Sequence, residues 1–176
     1  MTKQDGTHVR VAAAALAGVM FATLGTSACQ PAPSVAPQAA SEPAAQPQQV
    51  RKAIRPEKSP NTGLPYSPGI LTGNTLYISG HLGRDPVTSQ LVSGGIEAET
   101  RQSLANIREV LMAAGMDFKD VTYVTVFITD FKEFERFNTV YREHFPVEPP
   151  ARATVQVAAL NVGAHVELQM IAVKPE

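Results

Sequence analysis

Along IEAETRQSLANIREVLMAAGM, the residues Ile96, Thr100, Leu104, Ile107, Leu111 and Ala114 recur at helical spacing, and Gly115 stands where a helix would be closed. The spacing predicts one amphipathic helix. VTYVTVFITD, from Val121 to Asp130, is β-branched and aromatic on both alternating faces and predicts a central strand covered on both sides. A second helix is predicted from Asp130, with Glu133 as its capping-box partner and Phe134, Phe137, Val140 and Tyr141 as its buried stripe. Shorter strands are predicted at Tyr66–Leu71, Thr75–Ser79, Arg152–Ala158 and His165–Val173. Turn residues separate them: Thr72-Gly73-Asn74 in the first pair, Leu160-Asn161-Val162-Gly163 in the last, and Asp85-Pro86 in the loop before the first helix.

The resulting order, ββαβαββ, predicts an α+β domain: a mixed sheet with both helices packed on one face. Alternation groups Arg152, Thr154 and Gln156 on one side of their strand and Ala153, Val155 and Val157 on the other. It likewise groups His165, Glu167 and Gln169 against Val166, Leu168 and Met170. A hairpin about the 160–163 turn would set Thr154 near Gln169 and Gln156 near Glu167, so the two polar sets are expected on the sheet face away from the helices. A central strand that demands burial on both sides then calls for a second copy of the chain. Symmetric association would leave clefts between subunits, with Arg152 and Glu167 near water and ligand.

The first part of the chain has a different pattern. Residues 1–28 begin with a short polar stretch carrying Lys3, His8 and Arg10 and continue as VAAAALAGVMFATLG, too short for a membrane span, with Thr26-Ser27-Ala28 as a cleavage site. This is a signal-peptide pattern, and it predicts export to the periplasm. Cys29, the one cysteine, follows at once and resembles the lipid-modified first residue of a bacterial lipoprotein, with Thr26 where leucine is usual. The expectation is a lipid anchor to the membrane at Cys29; plain cleavage after Ala28, leaving a free thiol, is the alternative. Residues 29–52, rich in Pro, Ala and Gln, cannot bury enough apolar surface to fold and predict an extended tether. The folded domain is assigned to residues 53–176.

Charge then narrows the chemistry. Fifteen Lys+Arg against 16 Asp+Glu, with a pI of about 6.4, give no basic stripe, so a nucleic-acid partner is not expected and a ribonuclease reading has little to grip a phosphate backbone. His81, His144 and His165 lie on three separate elements without ligand spacing, so no metal is expected. Asp85, Glu97 and Glu99 read as a solvated loop and a helix first turn. What stands out is Arg152, a permanent charge at the start of a largely apolar strand. If it points inward it must meet an anion, and spacing alone leaves a structural ion pair with Glu167 at a subunit contact as open as catalysis.

LPYSPGI, LYISGHLG, the GGIEAETRQSLANIREVLMAAG helix, TVFITDFKEFERFNTVYREHF, PPARATVQVAAL and VELQMIAV together resemble the RidA/YjgF reactive-intermediate deaminases over nearly all of Lys58 to Val173. The resemblance implies a chorismate-mutase-like fold, a homotrimer with sites between subunits, and hydrolysis of 2-imino or 2-enamino acids to 2-keto acids and ammonium without a cofactor. It implies that Arg152 binds the substrate carboxylate and that Glu167 positions water. It further places Tyr66, Ser79, Asn138 and Thr154 in the substrate pocket, Thr154 where many relatives have cysteine. From the residues alone, Tyr66 and Ser79 stand equally as strand positions and Asn138 as a surface residue. The chain departs from the pattern at Leu64-Pro65-Tyr66-Ser67-Pro68, where Gly-Pro-Tyr-Ser-Gln is frequent, and at His81, where glutamine is common. A non-catalytic module holding small carboxylates in the same cleft is the rival expectation.

Overall fold

The computed structural model describes residues 50–57, 63 and 65–175. The signal segment, Cys29 and nearly all of the tether lie outside the described residues. Six strands, β1 (Arg51–Ile54), β2 (Gly69–Thr72), β3 (Thr75–Leu82), β4 (Val121–Ile128), β5 (Ala151–Gln156) and β6 (Val166–Val173), form one sheet in the order β1-β2-β3-β6-β4-β5. Helices α1 (Gly95–Ala113) and α2 (Phe134–His144) complete the fold. It is the expected α+β arrangement, enlarged by β1, whose short polar RKAI stretch carries no strong strand pattern and pairs antiparallel with β2. β1 begins inside the segment that composition assigns to the tether.

Helix α1 matches its apolar spacing: Ile96, Thr100, Leu104, Ile107 and Leu111 are all buried. It ends as expected, with Gly115 at φ 71° and Met116 N–H returning to the Leu111 carbonyl. The start of α2 differs from expectation. Asp130 accepts from Lys132 N–H and opens a short 3-10 turn, Phe131–Glu133, before the α-helix begins, while the Glu133 carboxylate turns to Arg136. The reciprocal capping box lies elsewhere, between Asp117 and Asp120 at the entry to β4.

The expected hairpin between the last two strands does not form. β5 pairs parallel with β4, and β6 lies on the other side of β4, antiparallel to it and to β3. The reason is the crossover: β4, α2 and β5 make a βαβ unit, and such a unit returns its second strand parallel to the first. The slot beside β4 is then taken, so β6 enters between β3 and β4. Register fixes the consequence. Arg152 stands beside Val124, which stands beside Met170; both are buried in the helix-covered core. Glu167 stands beside Phe127 and, through it, Val155, on the opposite face. Arg152 and Glu167 therefore point to opposite sides of the sheet, contrary to the shared face expected from a hairpin.

The helix side holds the core, with Ile78, Leu104, Ile107, Val124, Val126, Phe137, Leu168 and Met170 almost fully buried. Among the described residues, nothing covers the other side. Tyr77, Ile171 and Tyr123 form one cross-strand row there, the two tyrosines 52% and 39% exposed, and Val155 is 47% exposed.

Glu99 is the other correction. It is 1% exposed, not solvated. Gly83 allows this close approach, since a Cβ there would stand 2.5 Å from the Glu99 Cα. The carboxylate accepts the His165 backbone N–H at 2.7 Å and faces His165 Nδ1 at 2.5 Å, fixing the start of β6 to the first turns of α1. The Glu99 carboxylate holds the imidazole's pKa above its ordinary range, with burial opposing and Glu133 and Arg136 adding smaller effects of opposite sign. A raised folded-state pKa contributes stability that is complete below the unfolded value of about 6.5 and is lost as the pH rises through the folded one. The stability gap between the wild type and His165→Gln should therefore be widest near about pH 6 and narrow toward about pH 9 in urea unfolding. A gap independent of pH would show that the ring carries no charge in the contact.

Candidate functional site

The predicted residues separate into two groups. Tyr66, Ser79 and Glu167 line one cleft of about 930 Å³, together with Gly80 and His81 and, from α1, Asn106. Tyr66 lies in the loop before β2, not within a strand, and is half exposed. Ser79 is more than a strand terminus. Its backbone N–H donates to the Pro68 carbonyl at 3.0 Å and its hydroxyl to the Ser67 carbonyl at 2.7 Å, so it ties the loop carrying Tyr66 to β3.

Between Ile78 and His81, β3 carries one residue more than the facing stretch of β6, and this bulge is Ser79-Gly80. Glycine is required by what lies opposite. A Cβ on Gly80 would stand 2.0 Å from Glu167 Oε1 and 2.9 Å from its Cδ. The missing side chain lets the Glu167 carboxylate lie flat on the bulge backbone. Burial pushes the Glu167 carboxyl above its ordinary pKa, so it is a better proton acceptor than a free glutamate and carries a proton more readily. His81 has the reverse shift: burial lowers its pKa, outweighing its contact with the Ser79 carbonyl, 2.8 Å from Nδ1. With Nδ1 donating there, the neutral ring keeps Nε2 as an acceptor.

On the helix side, Arg152 extends from β5 beneath α2. Its guanidinium carbon lies 4.6 Å from the centroid of the Tyr141 ring, 5.5 Å from that of Phe137 and 5.6 Å from that of Phe134. One Nη donates to Asn138 Oδ1 at 2.9 Å. Asn138 is 6% exposed, which removes the surface reading, and its own amide donates to Glu135 Oε1 at 3.3 Å, fixing which end faces the arginine. Thr154 lies half-buried two residues along the same face of β5. No carboxylate among the described residues of the chain comes within ion-pair distance of Arg152. Tyr141 does not supply an anion either: burial pushes its pKa to about 12 against the opposing influence of Arg152, and its hydroxyl is buried without a partner.

This arrangement offers a cation open to an external anion, and separately a cleft with a carboxylate of raised pKa. Among the described residues no three His, Cys, Asp or Glu side chains converge as a metal site would require. Sequence reasoning missed the Ser79-Gly80 bulge and the aromatic surround of Arg152. The bulge left no pattern beyond a glycine following a serine, but the surround was present as the α2 stripe.

A family model described as Endoribonuclease L-PSP matches residues 56–174. The chain belongs to the RidA/YjgF (Ribonuc_L-PSP) family. It is 48% identical over 125 residues to a protein of Bos taurus named 2-iminobutanoate/2-iminopropanoate deaminase, covering 71% of this chain and 91% of that one. The human protein of the same name is 42% identical over the same share of both chains. Among solved structures, RidA from a Psychrobacter species has a TM-score of 0.66 at 39% identity, covering 70% of this chain and 99% of its own. E. coli TdcF with bound serine gives 0.65 at 33% identity with the same coverage. The RidA fold thus accounts for the described domain.

Gly80→Ala tests the fit of Glu167 on the bulge. The obstructing atoms belong to a side-chain end, so the thermal midpoint should stay close to wild type, while the displaced carboxylate should lower catalytic efficiency roughly ten- to a hundredfold. Unchanged turnover in a folded variant would separate Glu167 from the chemistry.

Proposed function

We propose that this protein hydrolyses small 2-imino acids to 2-keto acids and ammonium, the activity for which its bovine and human relatives are named. Arg152 anchors the substrate carboxylate through paired hydrogen bonds, a task suited to a planar guanidinium. Glu167 orients a water whose oxygen adds to the imine carbon and accepts a proton from it. The nitrogen is protonated as the water adds, giving a tetrahedral carbinolamine; its hydroxyl then loses a proton as the C–N bond breaks, leaving a ketone, and the protonated nitrogen departs as ammonium. No electrons change hands, and the reaction consumes one water and, for a neutral imine, one proton from solvent. Proximity and orientation supply most of the rate gain.

The observation that carries this reading is a half-buried guanidinium with no anion beside it among the described residues, held beside Asn138. An unneutralised cation is costly to maintain unless a ligand uses it. The opposite orientation of Arg152 and Glu167 favours a homotrimer in which one subunit's arginine reaches a neighbour's Tyr66, Ser79 and Glu167. The uncovered row of Tyr77, Ile171 and Tyr123 supports that association, since an apolar sheet face of this kind marks an interface.

Freshly generated 2-aminoacrylate should give ammonium and pyruvate faster in the presence of the protein, and light scattering should give the mass of three chains. Arg152→Ala should lower catalytic efficiency by about a hundredfold, the loss expected for two charge-assisted hydrogen bonds. Equal acceleration by the variant would end the proposed role of Arg152.

The leader pattern and Cys29 support export to the periplasm with lipid attachment at that cysteine. In the full-length protein, Cys29→Ala should abolish incorporation of labelled fatty acid and move the chain from the membrane to the soluble exported fraction. Persistent labelling would exclude Cys29 as the anchor.

A further inference from the structure

The α2 residues around Arg152 occupy positions 134, 137, 138 and 141, one face of the helix by its period. Asn138 gives the guanidinium a single hydrogen bond, yet three rings surround the group. Phe137 and Tyr141 are buried and Phe134 is half-buried against the core. Phe131 lies over Phe134, and Phe137 and Phe145 pack against Tyr141 with centroids 5.5 and 4.7 Å away. Each ring is thus held by another ring, and none is free to swing from the guanidinium.

We propose that Phe134, Phe137 and Tyr141 are positioning residues that hold Arg152 for carboxylate binding through their π faces. The rings attract the cation without occupying its N–H donors and without cancelling its charge. A carboxylate partner at the same place would fix the side chain equally well but would compete with the substrate. Water would leave the donors to be stripped on each binding event. The aromatic cradle avoids both, because it replaces hydration with ring contacts that use none of the N–H donors. The donor edge stays available to an incoming carboxylate. The buried Tyr141 hydroxyl fits this view: it has no partner among the described residues, so the ring is retained for its face.

The proposal deepens the deaminase reading and rests on it for turnover, but its binding half can be measured separately by calorimetric titration with pyruvate. Phe134 is the position to vary, since it is the least buried of the three. Phe134→Leu keeps apolar bulk and removes the π face; Phe134→Tyr keeps the face. Pyruvate binding should weaken about three- to fivefold in Phe134→Leu, the range of one partly exposed cation–π contact, and stay within about twofold of wild type in Phe134→Tyr. In turnover of the alanine-derived imine, the Leu variant should raise KM with kcat unchanged, because substrate and transition state carry the same carboxylate. Tyr141→Phe should bind pyruvate as the wild type does. Wild-type affinity in Phe134→Leu, or an equal loss in Phe134→Tyr, would overturn the cradle and leave only packing. A wild type that binds pyruvate but hydrolyses no imine would remove the deaminase reading while the titrations still decide the cradle.

Discussion

Strand β4 is bonded on one side to a parallel strand and on the other to an antiparallel one, and this asymmetry governs the placement of every candidate residue. Side chains in register across a sheet share a face, so once Val124 and Met170 are in the core, Arg152 must lie under the helices. By the same register Glu167 must lie on the opposite side. A single chain cannot bring the two together without slipping a strand by one residue, which would expose the core. A site that uses both must be completed by another copy of the chain.

The two half-sites are built on different physics. Around Arg152 the environment is aromatic and half-buried, and no carboxylate among the described residues neutralises the charge. Around Glu167 the device is a missing side chain: the bulge at Ser79-Gly80 lets a carboxylate rest against backbone, and burial there raises its pKa. The first presents a cation and the second a carboxylate of raised pKa. Within one chain their opposite faces keep them from pairing, and the ion pair that spacing alone left open would lie at a subunit contact.

How much of this was legible follows from which signals are local. Both helices and β4 were readable because their apolar spacing is set within the segment and tertiary packing agrees with it. The α2 stripe was readable as buried, but not as a cover for a cation. Nothing in Phe134, Phe137 or Tyr141 says which side chain lies below. The pairing of β5 was misjudged because a short turn between two strands suggests a hairpin, whereas the βαβ crossover ahead of it had already committed β5 to the far side of β4. Glu99 was misread for a related reason. Helix periodicity places it beside buried Thr100, but only the close approach allowed by Gly83 and the arrival of His165 from sixty-six residues away give its charge a partner. The candidate residues were named through the family resemblance, and the bulge that seats Glu167 was not legible.

The Glu99–His165 contact bears on the site through the backbone. His165 is held at both ends, its N–H by Glu99 and its carbonyl by Thr129 N–H at 3.1 Å, immediately before Val166 and Glu167. The start of β6 thus cannot shift relative to α1 or β4 without breaking hydrogen bonds to a buried carboxylate, and loss of such a bond costs more than its formation gains. The seat of Glu167 over Gly80 depends on that register, because Glu167 meets the glycine only while β6 keeps its place beside the bulge. Glu99, which touches neither cleft nor cradle, therefore helps set where Glu167 stands.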